Sequence, residues 1–129
     1  MNNILQITPF MYADDLEEAV RFFRDLLGFT AVVHQSGYAY LEREAAAVRI
    51  MQNAPEYAVP RPPGRPFRYY MDVRDVDAIY AELKPKLDAL PLDDVHGPVN
   101  QAYGQRELMI LAPDGGVVVF GQAIQPTKA

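Results

Sequence analysis

The order strand, helix, strand, strand, strand occurs twice along this chain of 129 residues, taking about 60 residues each time. The two halves share this order but little residue identity, so the repeat is one of pattern rather than of sequence. A unit of this size covers one face of its sheet with its helix and leaves the other face open. Two such units predict an α+β fold in which a curved mixed sheet, shaped as a half-barrel, forms a cleft.

In the first half, residues 4–10 have the composition of a strand. Asp14 or Asp15 is predicted to cap a helix that runs to about residue 27, because the apolar residues that follow recur at helical spacing. Gly28 comes directly after this pattern, where helices commonly end. Three short strands are then predicted, at residues 29–34, 38–43 and 46–51.

A proline-rich segment, residues 53–65, separates the two halves. Proline has no backbone N–H and fixes its own φ, so a run of prolines cannot build a helix or a central strand. The segment is therefore predicted to be a linker. The whole chain is expected to be a single domain made of two modules, residues 1–52 and 66–122.

The second half repeats the plan of the first. A strand is predicted at residues 67–73, followed by a helix that Asp75 caps and that Pro85 is expected to end or bend. A weak strand is predicted at residues 90–96. Residues 103–122 form a hairpin in this interpretation, because the turn Ala-Pro-Asp-Gly-Gly combines a fixed φ, a side chain that bonds its own backbone and glycines that accept positive φ.

The composition excludes several classes of function. There is no cysteine, so the chain has no disulfide, no thiolate nucleophile and no cysteine-ligated metal. The net charge of −5 is spread over both halves, which leaves no basic stripe for nucleic acid. No apolar run reaches the roughly 20 residues that cross a bilayer, and the first residues lack the features of a signal peptide. We therefore expect a cytoplasmic protein that binds neither nucleic acid nor membrane.

Two motifs resemble those of a known family. The first spans residues 9–29 and consists of a strand, an Asp-Leu cap and a helix that ends in Leu-Gly-Phe. The second combines Tyr-Gly-Gln-Arg-Glu at residues 103–107 with Pro-Asp-Gly-Gly-Val-Val-Val-Phe-Gly at residues 113–121. Together they frame nearly the whole chain and resemble the glyoxalase/bleomycin-resistance/extradiol-dioxygenase superfamily, also called vicinal oxygen chelate proteins. The resemblance implies that two copies of the chain pair as a homodimer.

Enzymes of the family that this chain resembles hold a divalent metal with side chains from four strands, usually His, Glu or Gln. Carried over to this sequence, the four positions fall on Thr8, on a residue within 48–51, on Arg68 and on Val119. None of these is a good ligand, and an arginine offers only hydrogen-bond donors. The two histidines of the chain fall on second strands, away from these positions. We therefore expect no metal and no other cofactor.

Without a metal, the chain most resembles the bleomycin-resistance members of the family, which sequester an antibiotic in the cleft of a dimer. Such a site needs flat aromatic surfaces and a few fixed polar groups. Arg49 and Arg68 stand mid-strand, where a charge is costly unless it is paired or solvated. Each of them either pairs with a carboxylate such as Glu107 or Asp72, or binds an anionic or carbonyl-bearing ligand.

Tyrosines are favoured as cleft residues because a tyrosine seldom buries its hydroxyl without a partner. Tyr38 and Tyr40 share one face of a strand, since side chains alternate along it. Tyr103 is expected at the rim of the site, on the loop that enters the hairpin, and Tyr57 is expected to act as a lid from the linker. The complete predicted ligand-binding set is Thr8, Phe10, Tyr38, Tyr40, Arg49, Tyr57, Arg68, Tyr70, Tyr103 and Glu107.

The leading hypothesis is thus a metal-free, antibiotic-binding homodimer, and two alternatives stay open. The first is an enzyme, either a glyoxalase-like lyase or isomerase or a dioxygenase, that acts on a small carbonyl or aromatic substrate. It would use a metal bound in a different strand register, or no metal but Glu107 and a tyrosine. The second alternative is a housekeeping protein whose cleft has no specific ligand.

Overall fold

The computed structural model describes residues 3–53 and 68–124. The chain divides into two compact units, Met1–Pro62 and Pro63–Ala129. Each unit contains one four-stranded mixed sheet and one main helix, in the order β-α-β-β-β. The predicted α+β class and the repeated plan are therefore confirmed.

The elements of the first unit are β1 (Phe10–Ala13), α1 (Leu16–Arg21), β2 (Thr30–Gln35), β3 (Tyr38–Arg43) and β4 (Ala46–Gln52). The sheet order is β1-β4-β3-β2. β1 and β4 are parallel, and the other neighbouring strands are antiparallel. The helix α1 continues without a break into a π-helical turn, Phe22–Leu26.

The elements of the second unit are β5 (Arg68–Asp72), α2 (Val76–Leu87), β6 (Val95–Asn100), β7 (Gln105–Leu111) and β8 (Val117–Ala123). This unit repeats the topology of the first, with the sheet order β5-β8-β7-β6 and a parallel pair formed by β5 and β8. A short 3-10 turn, Leu92–Asp94, precedes β6.

Both helices begin at an aspartate whose side chain accepts a hydrogen bond from a backbone N–H three residues later. Asp15 Oδ1 accepts from the N–H of Glu18 at 3.2 Å, and Asp75 Oδ1 accepts from the N–H of Ala78 at 3.0 Å. These bonds satisfy donors that have no partner inside the helix. Of the two caps considered for the first helix, the structure selects Asp15.

A glutamine on the last strand of each unit makes a second bond to the start of the helix. Gln52 Oε1 accepts from the N–H of Leu16, and Gln122 Oε1 accepts from the N–H of Val76, both at 2.9 Å. The two glutamines occupy equivalent positions of the repeat. They fix the start of each helix to the end of a distant strand.

Side chains of each sheet alternate between a buried face under the helix and an open face. Along β3, Ala39 and Leu41 are buried, whereas Tyr38 and Tyr40 are only half-buried. In β7 the same alternation buries Leu108 and Ile110. The core of the first unit consists mainly of Met11, Ala19, Val20, Phe23, Leu27, Leu41, Val48 and Ile50.

The first strand lies later in the chain than predicted. The expected strand at residues 4–10 is wrong, because residues 3–9 form no regular element and β1 begins at Phe10. Pro9 accepts a hydrogen bond from the N–H of Arg49 but has no N–H to donate, so the parallel ladder cannot continue through it. Ile4 and Leu5 are 85% and 96% exposed as a result.

The weak strand predicted at residues 90–96 is also misplaced. Pro91 starts a tight turn in which its carbonyl accepts from the N–H of Asp94, and β6 then runs from Val95 to Asn100. β6 includes Gly97 and Pro98 and lies at the edge of its sheet, where a proline is tolerated. The pairing of β6 with β7 shifts register at these two residues.

Pro85 does not end α2, which runs on to Leu87. The N–H of Asp88 donates to the carbonyl of Lys84 at 2.9 Å, so hydrogen bonding resumes after the proline. Leu83 and Leu87 are both buried and hold this part of the helix against the core. Within the described residues, no helix is long and apolar enough to span a membrane.

Candidate functional site

A cavity of about 570 Å³ lies on the open face of the second sheet. Its floor is formed by β7, because Gln105, Glu107 and Met109 point away from the buried side chains of that strand. β5 and the loop before β7 supply the walls. The lining residues are Arg68, Tyr70, Gln101, Tyr103, Gln105, Glu107 and Met109.

Glu107 is the buried charged residue of this cavity, with only 2% of its surface exposed. The hydroxyl of Tyr103 donates to Glu107 Oε1 at 2.7 Å. The hydroxyl of Tyr70 also bonds to Glu107. Since phenols are neutral donors, the described residues give the carboxylate hydrogen bonds but no counter-charge.

This arrangement raises the pKa of both tyrosines. Loss of hydration raises the pKa of Tyr70 to about 12, with further contributions from its hydrogen bond to Glu107 and from the charge of that carboxylate. The hydrogen bond to Glu107 also raises the pKa of Tyr103, and desolvation adds to it, while the charge of Arg68 opposes the shift. The site therefore disfavours any further negative charge.

Gly121 allows Tyr70 to reach the carboxylate. β8 lies between β5 and β7, with Tyr70 paired to Val119 and Glu107 paired to Gly121. The Tyr70 ring crosses β8 above Gly121, where a Cβ atom would overlap the ring and its hydroxyl. A residue without a side chain is required at this crossing.

Gln105 faces the same cavity, and its Oε1 is buried without a hydrogen-bond partner among the residues that the structure describes. Arg68 stands exposed at the cavity mouth, where its Nη1 lies 3.8 Å from the sulfur of Met109. The ion pair between Arg68 and Glu107 that the sequence left open is not formed, because the tyrosines bond to Glu107 instead.

The open face of the first sheet gathers four other predicted residues around Arg49. Its Nε donates to Thr8 Oγ1 at 3.0 Å, and its Nη1 donates to the Tyr38 hydroxyl. The guanidinium also lies 4.6 Å from the ring centre of Tyr40, and the Phe10 and Tyr38 rings are 6.5 Å apart. A cation over an aromatic face gains about 0.5–1 kcal/mol at such sites. Arg49 is thus held by neutral partners.

The ten predicted residues therefore fall into separate groups. Four line the cavity of the second unit, and five lie together on the first sheet, while Tyr57 lies outside the described residues. Sequence reasoning missed Gln101, Gln105 and Met109. The alternation of β7 could have found two of them, since Gln105 and Met109 each stand two residues from Glu107.

The positions carried over from metal-dependent enzymes do not fit a metal. Thr8 Oγ1 already accepts from Arg49, Arg68 is a cation, and Val119 is a fully buried hydrocarbon side chain. In residues 3–53 and 68–124, no three His, Cys, Asp or Glu side chains come together as a metal-binding group.

The family model for the glyoxalase/bleomycin resistance protein/dioxygenase superfamily matches residues 3–120. The chain belongs to this superfamily. The predicted resemblance is therefore confirmed, and the repeated β-α-β-β-β plan is the form that the superfamily fold takes in this chain.

Among superfamily members, the bleomycin resistance protein of Geobacillus stearothermophilus is 23% identical, over 95% of this chain and 99% of the relative. The structure of a bleomycin resistance determinant encoded on the transposon Tn5 matches with a TM-score of 0.74 and 20% identity, over 95% and 100% of the two chains. The bleomycin-binding protein of Streptomyces verticillus, solved with copper(II)-bleomycin, matches with a TM-score of 0.67 and 22% identity, over 93% and 97%.

Proposed function

We propose that this protein binds an antibiotic-like small molecule and sequesters it, without a metal and without turning it over. The cavity of the second unit is the central part of the proposed site. Support comes from superfamily relatives that are named for bleomycin resistance or bleomycin binding.

The observation that carries the proposal is the make-up of the cavity. Two tyrosines provide flat aromatic walls, Tyr103 being 68% and Tyr70 40% exposed, above a buried carboxylate. A volume of about 570 Å³ lies within the range of small-molecule pockets, which typically combine apolar walls with a few fixed polar groups. Aromatic walls of this kind suit a planar ligand.

Isothermal titration calorimetry with bleomycin, copper(II)-bleomycin and a panel of planar aromatic and glycopeptide antibiotics tests the proposal. We expect saturable, stoichiometric binding of at least one compound. Because Tyr103 forms a wall, Tyr103→Ala is expected to weaken that binding about tenfold, a loss of about 1.4 kcal/mol. Leu92→Ala is the matched control, since Leu92 is a large side chain of the same unit that is 93% exposed and outside the cavity.

Absence of saturable binding to every compound would contradict the proposal. Rapid turnover of a 2-oxoaldehyde–thiol adduct or of a catechol would replace it with the enzyme alternative. In that case Glu107 would be the first candidate for a general base.

The homodimer expected from the resemblance remains a prediction. Sedimentation velocity at micromolar concentration checks it: we expect a species of twice the chain mass of 14.5 kDa. A monomer under these conditions would remove the dimer from the proposal but leave the cavity of the second unit in place.

A further inference from the structure

Two hydrogen-bond acceptors face the cavity of the second unit from the same strand. One is the carboxylate of Glu107, which is almost completely buried. The other is Gln105 Oε1, which is buried and has no partner in the described part of the chain. Since the two residues are two positions apart on β7, their Cα atoms lie about 6.6 Å apart and their side chains project from the same face.

Among the described residues, Gln105 Oε1 lacks a hydrogen-bond donor, and the carboxylate of Glu107 has donors but no counter-charge. An unmade hydrogen bond to a buried acceptor costs about 1–3 kcal/mol, and a buried charge without a counter-charge costs more. The two phenols that bond to Glu107 bring no charge. Gln101, the other polar residue of the wall, is neutral as well.

Arg68, the cation among the described residues that line the cavity, is not placed to compensate the carboxylate. It is exposed, and its Nη1 lies 3.8 Å from the sulfur of Met109. Solvent and salt screen an exposed charge of this kind far more than a buried one. The floor of the cavity thus presents a negative charge and a free carbonyl oxygen between aromatic walls.

We propose that this cavity takes its ligand through a cationic nitrogen group, an amidinium, guanidinium or primary ammonium, that donates hydrogen bonds to Glu107 and to Gln105 Oε1. The faces of Tyr70 and Tyr103 add cation–π attraction. The raised pKa of both tyrosines agrees with this geometry, because the site resists a second negative charge and accepts a positive one. The inference rests on the proposed function and assigns the chemical class of the ligand group.

Arg68 has a different role here from those that the sequence predicts, which are to pair with a carboxylate or to bind an anionic or carbonyl-bearing ligand. Because Arg68 carries the same charge as a cationic ligand, it slightly weakens the binding of that ligand. Removing the charge therefore separates the two hypotheses by the sign of its effect.

The test uses three small probes of the same shape and different charge: benzamidinium, benzamide and benzoate. Their binding to the full-length protein is measured by NMR titration at low salt. We expect benzamidinium to bind at least tenfold more tightly than benzamide, and benzoate not to bind. Glu107→Gln should lower the affinity for benzamidinium at least tenfold, and Arg68→Gln should raise this affinity two- to threefold.

Arg68→Gln keeps the test decisive if Glu107→Gln fails to fold, because Arg68 is exposed and its replacement removes the charge while keeping a polar side chain at this position. Tighter binding of benzoate than of benzamidinium would overturn the proposal, and so would weaker binding of benzamidinium to Arg68→Gln. An antibiotic that binds equally well to the wild type and to both variants would leave the proposed function standing without this inference. Benzamidinium binding without any antibiotic binding would leave the cation site standing without the proposed function.

Discussion

Gly121 leaves the space that the Tyr70 ring needs to reach Glu107. The tyrosine starts on β5, and its ring must cross β8 to bring the hydroxyl to the carboxylate. The crossing is possible because no side chain projects from β8 at this point. One wall of the cavity therefore depends on the absence of a single methyl group on a neighbouring strand.

Gly121→Ala is expected to lower the free energy of unfolding by about 1–3 kcal/mol, as is usual for overpacking. Urea denaturation measures the change. In a Tyr70→Ala background the obstructing ring is gone, so the same glycine substitution should cost less, and a double-mutant cycle gives the difference. Equal costs in both backgrounds would show that the ring does not rest on Gly121.

Tyr70 is expected to ionise only in strongly alkaline solution. Absorbance at 295 nm during an alkaline titration should show an ionisation step near pH 12, the value to which burial and Glu107 raise the pKa of Tyr70. Tyr70→Phe should remove this step. Glu107→Gln should move it to lower pH, because it removes the negative charge beside the phenol.

The same shift implies a dependence of stability on pH. The folded-state pKa of Tyr70 lies above the ordinary value of about 10, so its contribution to stability is complete below pH 10 and is lost as pH rises toward 12. The difference in melting temperature between the wild type and Tyr70→Phe should therefore be constant up to about pH 9 and shrink above pH 10. A difference in melting temperature that grows with pH would contradict this prediction.

At the level of elements, each helix is attached at its first turn by two side chains from different parts of the unit. An aspartate directly before the helix caps it, and a glutamine at the end of the last strand bonds to its first N–H. The glutamines lie 36 and 46 residues from the N–H groups that they bond to. The helix start thus depends on closure of the whole β-α-β-β-β unit.

Asp75→Ala is expected to lower the free energy of unfolding by about 1 kcal/mol, whereas Asp75→Asn should retain most of the stability because asparagine also caps well. Chemical denaturation followed by circular dichroism measures both. Asp93→Ala, at an exposed position in the same unit, is the control and should change stability by less than about 0.5 kcal/mol. A loss for Asp93→Ala as large as that for Asp75→Ala would mean that the cap adds nothing specific.

The elements that the sequence predicted correctly are those with local signals. Both helix starts follow from an aspartate before an apolar pattern, and β3 matches the predicted residues 38–43 because tyrosine, alanine and leucine alternate there. The segment at residues 4–10 has the composition of a strand but does not pair, and β6 continues through a glycine and a proline. The first error concerns pairing with a strand far along the chain, and the second concerns where an edge strand begins. Composition encodes neither.

For the whole molecule, family membership could be predicted because its two motifs lie at the two ends of the chain. The site could be predicted only in part. Tyr70, Tyr103 and Glu107 were found by residue type, but their convergence depends on the crossing over Gly121, which only the register of three strands reveals. Gln105 Oε1 has no hydrogen-bond partner within residues 3–53 and 68–124, and this too depends on the fold and has no signal in the sequence.

Because Gln52 and Gln122 are equivalent, the two halves of the chain can be aligned and compared as two sequences that form the same scaffold. With Gln52 aligned to Gln122, the strand registers align Asp15 with Asp75, Tyr38 with Glu107 and Arg49 with Val119. Positions that attach the helices are identical in the two copies, whereas positions on the open faces differ in charge and size. To redirect this protein to a new compound, the positions to vary are therefore those at which the two halves of the chain differ. The positions that the halves share should be kept.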